Sequence, residues 1–194
     1  LPKFTSTFTD VNGKEQRVEH LYNWYTLEGK PQPMPDKYIS TVDNGNFAAN
    51  LVTIISALGK SDPALVKDLK HILETMRFDQ LYDPKEKLMY NGANVVNGKF
   101  VPTPGRYDML ISEARSAYLV AIMLGHIPPE SWTNLKRKLG TELNNISSNP
   151  NLTFQSYTGT MFEYLMPSLF FKHDGTPMGD ADRQAVNHQM AERK

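Results

Sequence analysis

The longest apolar run lies between Met109 and Leu124, where Leu110, Ile111, Ala114, Ala117, Tyr118, Leu119, Val120, Ala121, Ile122 and Met123 leave hardly a polar side. A helix that is apolar all round is buried, so the pattern predicts an inner helix here, with Asp108 placed to cap it. Its opening turns carry Glu113 and Arg115, which are rarely buried without a partner or a purpose. A polar cavity at that end of the helix is expected. Two more predominantly apolar helices follow the same plan. One runs from Phe47 to Leu58 and stops at Gly59; the other starts at Met161 and meets Pro167, where a kink or break is expected.

Amphipathic helices alternate with the apolar ones. Asp62 caps and Pro63 opens a helix with Leu65, Leu69, Ile72, Leu73 and Met76 on one face and Lys67, Asp68, Lys70, Glu74 and Arg77 on the other. Pro128-Pro129 opens a second, in which Trp132, Leu135 and Leu139 alternate with Lys136, Arg137 and Lys138, and a polar helix from about Asp180 to Glu192 closes the chain. Leu88–Tyr90 and Lys99–Val101 read as a short hairpin turned at Asn97-Gly98. Residues 1–20 read as a polar, loosely structured lead-in, residues 144–151 as a polar loop, and 21–194 as a single domain. Inner and outer helices in alternation predict an all-α fold, the helical hairpins of an (α/α)6 toroid. Three hairpins are visible, about half of such a ring; either the toroid is incomplete or the three pack as an open helical domain. An apolar flank left where hairpins are missing would serve a partner or self-association.

Charge and composition narrow the chemistry. The 21 basic residues equal the 21 acidic ones, whereas nucleic-acid binding needs a basic excess, so no nucleic-acid partner is expected. There is no cysteine, hence no disulfide or thiolate catalysis. No signal-peptide core and no apolar run of transmembrane length stand out, so no membrane segment is expected. The five histidines lack metal-ligand spacing, and there is no glycine-rich phosphate loop or nucleophile elbow. No metal or cofactor is expected. Asn151-Leu152-Thr153 matches a glycosylation sequon but carries little weight without a secretion signal.

Four carboxylates fall at, or within two turns of, the starts of the apolar helices: Asp43, Asp108, Glu113 and Glu163. In parallel inner helices these ends converge on one mouth, with Tyr22, Trp24, Tyr107 and Tyr157 nearby in sequence. Paired carboxylates beside aromatic rings suit glycosidic-bond chemistry, in which one acid protonates the leaving oxygen and another carboxylate is nucleophile or base. Structural readings compete at each position. Asp43 and Asp108 fit helix caps, and Thr160-x-x-Glu163 fits a capping box. Glu113 lies too deep to cap its helix, so its structural alternative is a buried ion pair with Arg106 or Arg115. The aromatic cluster His20–Tyr25 is either a packed loop or a sugar-stacking surface.

Four ordered motifs add a resemblance: Leu21-Tyr22-Asn23-Trp24-Tyr25, Ser40-Thr41-Val42-Asp43-Asn44-Gly45-Asn46, Tyr107-Asp108 with Ser112-Glu113-Ala114-Arg115, and Gly159-Thr160-Met161-Phe162-Glu163-Tyr164-Leu165-Met166-Pro167. In this order they resemble the glucoamylase-like middle region of cyclic β-1,2-glucan synthases, which is related to endo-β-1,2-glucanases of the α/α-toroid type. The resemblance implies action on β-1,2-glucan by hydrolysis or by the transglycosylation that closes a ring. It implies that Glu113 is the general acid or acid/base and that Asp43 is a substrate-binding or assisting carboxylate. Tyr22, Asn23, Trp24, Asn44, Arg106, Tyr107, Asp108, Arg115, Tyr157, Glu163 and Tyr164 are then substrate-binding. It further implies an inner-membrane enzyme with this region on the cytoplasmic side. In one respect the chain departs from the family: the second catalytic carboxylate belongs to a following inner-helix segment, and the chain ends at Lys194 first. The chain then reads as the first half of that domain, inactive alone. A glucan-holding module without turnover, and a helical interaction scaffold, are the alternatives.

Overall fold

The computed structural model describes residues 3–9, 13–30, 37–140 and 153–172. The fold is mixed α/β, which corrects the all-α toroid expectation: helices are interleaved with four small antiparallel sheets among the described residues. The expected helix 180–192, the loop 144–151 and the sequon at Asn151 lie outside the described residues.

The segment expected to be a loose lead-in is a ribbon of β1 (Lys3–Thr9) and β2 (Glu15–Leu21). Alternate side chains turn inward: Phe4 opposes His20 in the register, and Phe4, Val18 and His20 are all buried. Phe4, Phe8, Val18 and His20 fall on one alternating set of positions, and that period-2 pattern marks a half-buried strand even where the average is polar.

A short strand β3 (Lys37–Ser40) leads directly into α1 (Thr41–Leu58). The cap is Ser40, whose Oγ accepts the Asp43 amide at 3.2 Å, so Asp43 lies within the first turn instead of preceding it. Asn44 is buried and clamps β2 to this helix: its Oδ1 accepts the Leu21 amide (2.9 Å), and its Nδ2 donates to the carbonyls of Leu21 (3.0 Å) and Ser40 (2.9 Å). The helix α2 (Pro63–Thr75) begins as expected, with Asp62 Oδ1 accepting the Leu65 amide at 3.0 Å and Pro63 in the first turn.

A 3-10 turn at Phe78–Leu81 precedes β4 (Tyr82–Asp83), β5 (Leu88–Tyr90), β6 (Gly92–Val96), β7 (Lys99–Pro102) and β8 (Arg106–Tyr107). The Asn97-Gly98 turn is present, with φ of 50° and 76°, as a tight hairpin requires. It joins β6 to β7, however, and β5 pairs instead with β4 and β8. The two three-stranded sheets run in the orders β3-β6-β7 and β4-β5-β8.

The central helix α3 spans only Arg115–Met123. Residues 109–114 are a chain of bends, because their polar groups are satisfied elsewhere. The Asp108 and Met109 amides donate to the Tyr157 hydroxyl (2.6 and 3.2 Å), and the Leu110 amide to the Lys136 carbonyl (3.0 Å). Asp108 does not cap. The following helix α4 is a single turn, Glu130–Thr133, ending where Lys136 turns back to pair with this stretch.

Two-residue strands β9 (Leu139–Gly140) and β10 (Thr153–Phe154) pair before α5 (Met161–Leu165), which gives way to a 3-10 turn at Met166–Leu169, the break expected at Pro167. The core lies where α1 and α3 cross. Gly45 sits so close to Ala117 that a Cβ there would meet the Ala117 Cβ at 2.4 Å. Tyr118, buried beneath, donates to the Tyr107 carbonyl and accepts the Met89 amide, each at 2.7 Å. Among the described residues no helix is long and apolar enough to cross a membrane.

Candidate functional site

Glu113 occupies the turn immediately before α3, held by the Ala114 amide bonding to Ser112 Oγ at 3.1 Å. It is half-buried and opens into a pocket of about 360 Å³ lined by Asn91, Arg106, Tyr107, Ser112, Glu113, Tyr157, Thr158, Thr160, Phe162 and Glu163. Five of the residues expected at the site thus share one cavity: Glu113, Glu163, Arg106, Tyr107 and Tyr157.

The pocket carboxylates are driven toward different protonation states. Burial raises the pKa of Glu113, and the negative charges of Asp43 and Glu163 raise it further. Among the described residues it has no ion pair. Arg106 is committed to Asp83 through Nε (2.8 Å) and Nη2 and to the Pro104 carbonyl (2.8 Å), with its guanidinium 4.9 Å from the Tyr90 ring centroid. Arg115 is fully buried and donates to the carbonyls of Ser112 (3.3 Å), Glu163 (3.3 Å) and Tyr164. The buried-ion-pair alternative for Glu113 is therefore not what these arginines form.

Glu163 is the opposite case. Burial raises its pKa, but hydrogen bonds from Thr158, Ser156 and the backbone outweigh it and hold the carboxyl below its ordinary value. Its oxygens accept the hydroxyls of Thr158 (2.6 Å), Ser156 (3.0 Å) and Thr160 (3.2 Å), and the amides of Tyr157 (3.0 Å), Thr158 (3.1 Å) and Thr160 (3.2 Å). The Thr160 contact is the capping-box bond. A carboxylate collecting so many donors stays ionised and organises the 156–163 wall of the pocket.

Tyr157 closes the rim. Its hydroxyl donates to Asp108 Oδ1 at 2.8 Å, Asp108 Oδ2 pairs with Lys136 at 2.6 Å, and its ring meets Tyr107 edge-on at 6.0 Å. Burial and the Asp108 contact push the Tyr157 phenol up to about 12. Asp108 itself is held low: the Lys136 and Tyr157 bonds outweigh its desolvation. Tyr107 is raised, first by burial and then by the Glu113 charge.

The remaining expected residues are distributed around this pocket and do not line it. Asp43 is exposed on the first turn of α1, and its charge reaches Glu113, Tyr107 and Tyr38. Trp24, 42% exposed, stacks on Tyr38 with centroids 5.9 Å apart, and the Tyr38 hydroxyl donates to the carbonyl of the pocket residue Asn91 at 2.9 Å. Tyr22 packs edge-on against Tyr25 at 6.3 Å, and the Asn23 amide donates to the Tyr38 carbonyl at 2.8 Å. Asn44 is the buried clamp described above. Tyr164 is buried, its hydroxyl bonded to the Phe154 carbonyl at 2.7 Å. Asn91, Ser112, Thr158, Thr160 and Phe162 line the pocket without having been assigned to a site; four of them are small polar residues, which have no periodicity to expose them, and Phe162 stood only within a motif. Among the described residues no group of three His, Asp or Glu side chains is placed to hold a metal ion.

No protein-family model matches the chain. It is similar to the cyclic beta-(1,2)-glucan synthase NdvB of Rhizobium meliloti (strain 1021), with 36% identity over 137 residues, 70% of this chain. The chain spans only 5% of that synthase's length. The similarity establishes a relationship to the synthase over that short segment.

Proposed function

We propose that this chain contributes to the synthesis or cyclisation of β-1,2-glucan, as part of the glucoamylase-like region of a cyclic β-1,2-glucan synthase. In this reading Glu113 is the general acid that protonates a glycosidic oxygen, in hydrolysis or transglycosylation. The observation that carries it is a half-buried carboxyl without an ion pair among the described residues, facing the same pocket as an ionised carboxylate. A carboxyl whose pKa is raised keeps its proton at a pH where ordinary carboxylates have lost theirs, which suits it to act as a general acid. Similarity to a cyclic β-1,2-glucan synthase supports the substrate class.

The other residues then have distinct tasks. Glu163 keeps its charge and raises the proton affinity of Glu113, while its lone pairs are occupied by its own wall. Asp43 is the assisting carboxylate outside the rim. Tyr107 and Tyr157 present ring edges and faces on which a glucose ring packs.

The test is turnover of linear β-1,2-glucan by the full protein, following reducing ends and cyclic products. Glu113→Gln should lower kcat by about 10²–10⁴-fold, the usual contribution of a general acid, with substrate affinity nearly unchanged. Because the acid works only when protonated, the activity of the wild type should fall as pH rises through the elevated Glu113 value. An unchanged kcat in Glu113→Gln would remove Glu113 from the chemistry. Binding without turnover in the wild type would favour a glucan-holding module.

A further inference from the structure

Asn91 stands between β5 and β6, at the seam of the two three-stranded sheets. Its backbone is fixed at three points: its amide donates to the Gly105 carbonyl (3.0 Å), and its carbonyl accepts the Thr41 amide (3.1 Å) and the Tyr38 hydroxyl (2.9 Å). Its neighbour Gly92 is hemmed in, since a Cβ there would lie 2.3 Å from the Ile39 carbonyl oxygen. The side chain rests over Gly105, where a Cβ would come within 2.6 Å of Asn91 Nδ2. Asn91 is thus placed by its surroundings with little freedom.

Its amide oxygen is nevertheless unpaired among the described residues. Oδ1 is buried and has no hydrogen-bond partner among the described residues, although the residue lines the pocket beside Glu113. Buried side-chain amides are nearly always paired, and an orphan in a rigid setting calls for an explanation. Arg106, the cation on the same wall, is engaged by Asp83 and the Pro104 carbonyl. Among the described residues that line the cavity, Asn91 holds a neutral acceptor, Oδ1, without a partner. A carboxamide carries both a donor and an acceptor, which complements a hydroxyl.

We propose that Asn91 is a specificity-determining residue whose amide hydrogen-bonds a ring hydroxyl of the sugar unit seated beside Glu113. This rests on reading the pocket as a glucan site. A site built around a substrate hydroxyl discriminates strongly against an analogue lacking it, because the protein group is then left unpaired. The rigid seat of Asn91 fixes where that hydroxyl lies relative to the Glu113 carboxyl.

The experiment is calorimetric titration of linear β-1,2-gluco-oligosaccharide into the full protein, paired with steady-state kinetics and thermal unfolding. Asn91→Ala should weaken binding by about ten- to a hundredfold, the usual range for losing a hydrogen bond at a desolvated group. The loss should fall in KM more than in kcat, with the unfolding temperature little changed. Gly105→Ala, which displaces the amide without removing it, should weaken binding in the same direction. Wild-type affinity in Asn91→Ala would overturn the assignment and leave the pocket reading standing. If Asn91→Ala fails to fold, wild-type affinity in a folded Gly105→Ala protein would overturn it equally. A wild-type protein that takes up no oligosaccharide would overturn the pocket reading, and this assignment with it.

Discussion

His20 is fully buried in β2, stacked against Phe100 at 6.1 Å and edge-on to Phe78 at 6.3 Å, and neither ring nitrogen has a hydrogen-bond partner among the described residues. Burial pushes its pKa down to about 4, and the polar influence of the Arg77 backbone, the Asp79 carboxylate and the Asn44 side chain opposes this only in part. The folded protein therefore holds a neutral imidazole where the unfolded chain has one that titrates near 6.5. Between those two values the unfolded state binds a proton that the folded state refuses, so stability is complete above about pH 6.5 and falls as the pH drops toward 4. With those two pKa values the loss relative to neutral pH is about 2 kcal/mol at pH 5 and about 3 kcal/mol at pH 4, with little further loss from this group below. That is a large share of a typical domain's stability.

Urea unfolding at a series of pH values, for the wild type and His20→Leu, measures this directly. Leucine keeps the site apolar and removes the titration. The carboxyls held low by partners, such as Glu19, Asp83 and Asp108, lose stability at lower pH in both proteins and cancel in the difference. The gap between the two proteins should shift in favour of the variant by about 2 kcal/mol from pH 7 to pH 5. Parallel stability curves would refute the reasoning. His126, lowered to about 4 by burial and by the Arg77 charge, contacts the same Phe78 ring and accepts the Phe78 amide at 3.3 Å. Its contribution should couple with that of His20, because the two would charge side by side.

Two further substitutions probe the frame around the pocket. Gly45→Ala forces a methyl into the α1–α3 crossing, 2.7 Å from the Ala117 Cα, and should cost about 2–3 kcal/mol by overpacking; denaturant unfolding reads the loss, and Ala117→Gly in the same chain should recover part of it. Arg115→Met leaves the carbonyls of Glu163 and Tyr164 without their charged donor and should cost about 3 kcal/mol; faster proteolysis within residues 154–165 would show that the lost contact anchors α5, and an unchanged cleavage rate would show that it does not.

Local chemistry was legible in the sequence wherever a residue type has one dominant use. Asp62 and Pro63 start α2, Asn97-Gly98 turns a hairpin, and Pro167 ends α5, each for a reason of backbone geometry that holds in any fold. Long-range choices were not legible. β1 and β2 have the polarity of a loop because only one face is buried. Leu88–Tyr90 is a strand as expected, but nothing local says whether it pairs with Lys99–Val101 or with Arg106–Tyr107. The site itself was half legible. Glu113, Glu163 and Tyr157 do share a pocket, yet the parallel inner helices invoked to gather them are not what brings them together. Arg115, Asn44 and Tyr164 are equally polar in sequence but serve as buried ties, and only their contacts distinguish the two uses.

The truncation of the central helix shows why the pocket exists at all. Residues 109–114 have a helical pattern, and continuing α3 backwards would give their carbonyls intrahelical donors while leaving the amides of the new first turn free. Helix propensity differs among such residues by only tenths of a kcal/mol, while each alternative bond contributes about 1 kcal/mol, and those to charged groups more. The Tyr157 hydroxyl takes two amides, the Lys136 carbonyl a third, and the Asp108–Lys136 pair spans the stretch. The Lys136 amide and carbonyl also bracket Met109 in a β-bridge, and that extended backbone, which no helix can share, holds the turn open. Once open, the same turn lets the Arg115 guanidinium reach across to the carbonyls of Glu163 and Tyr164, which fixes the α5 wall opposite Glu113. The contacts that deny Glu113 its place inside a helix are thus the ones that set it in one pocket with Glu163, where burial raises its proton affinity and the charges of Asp43 and Glu163 raise it further.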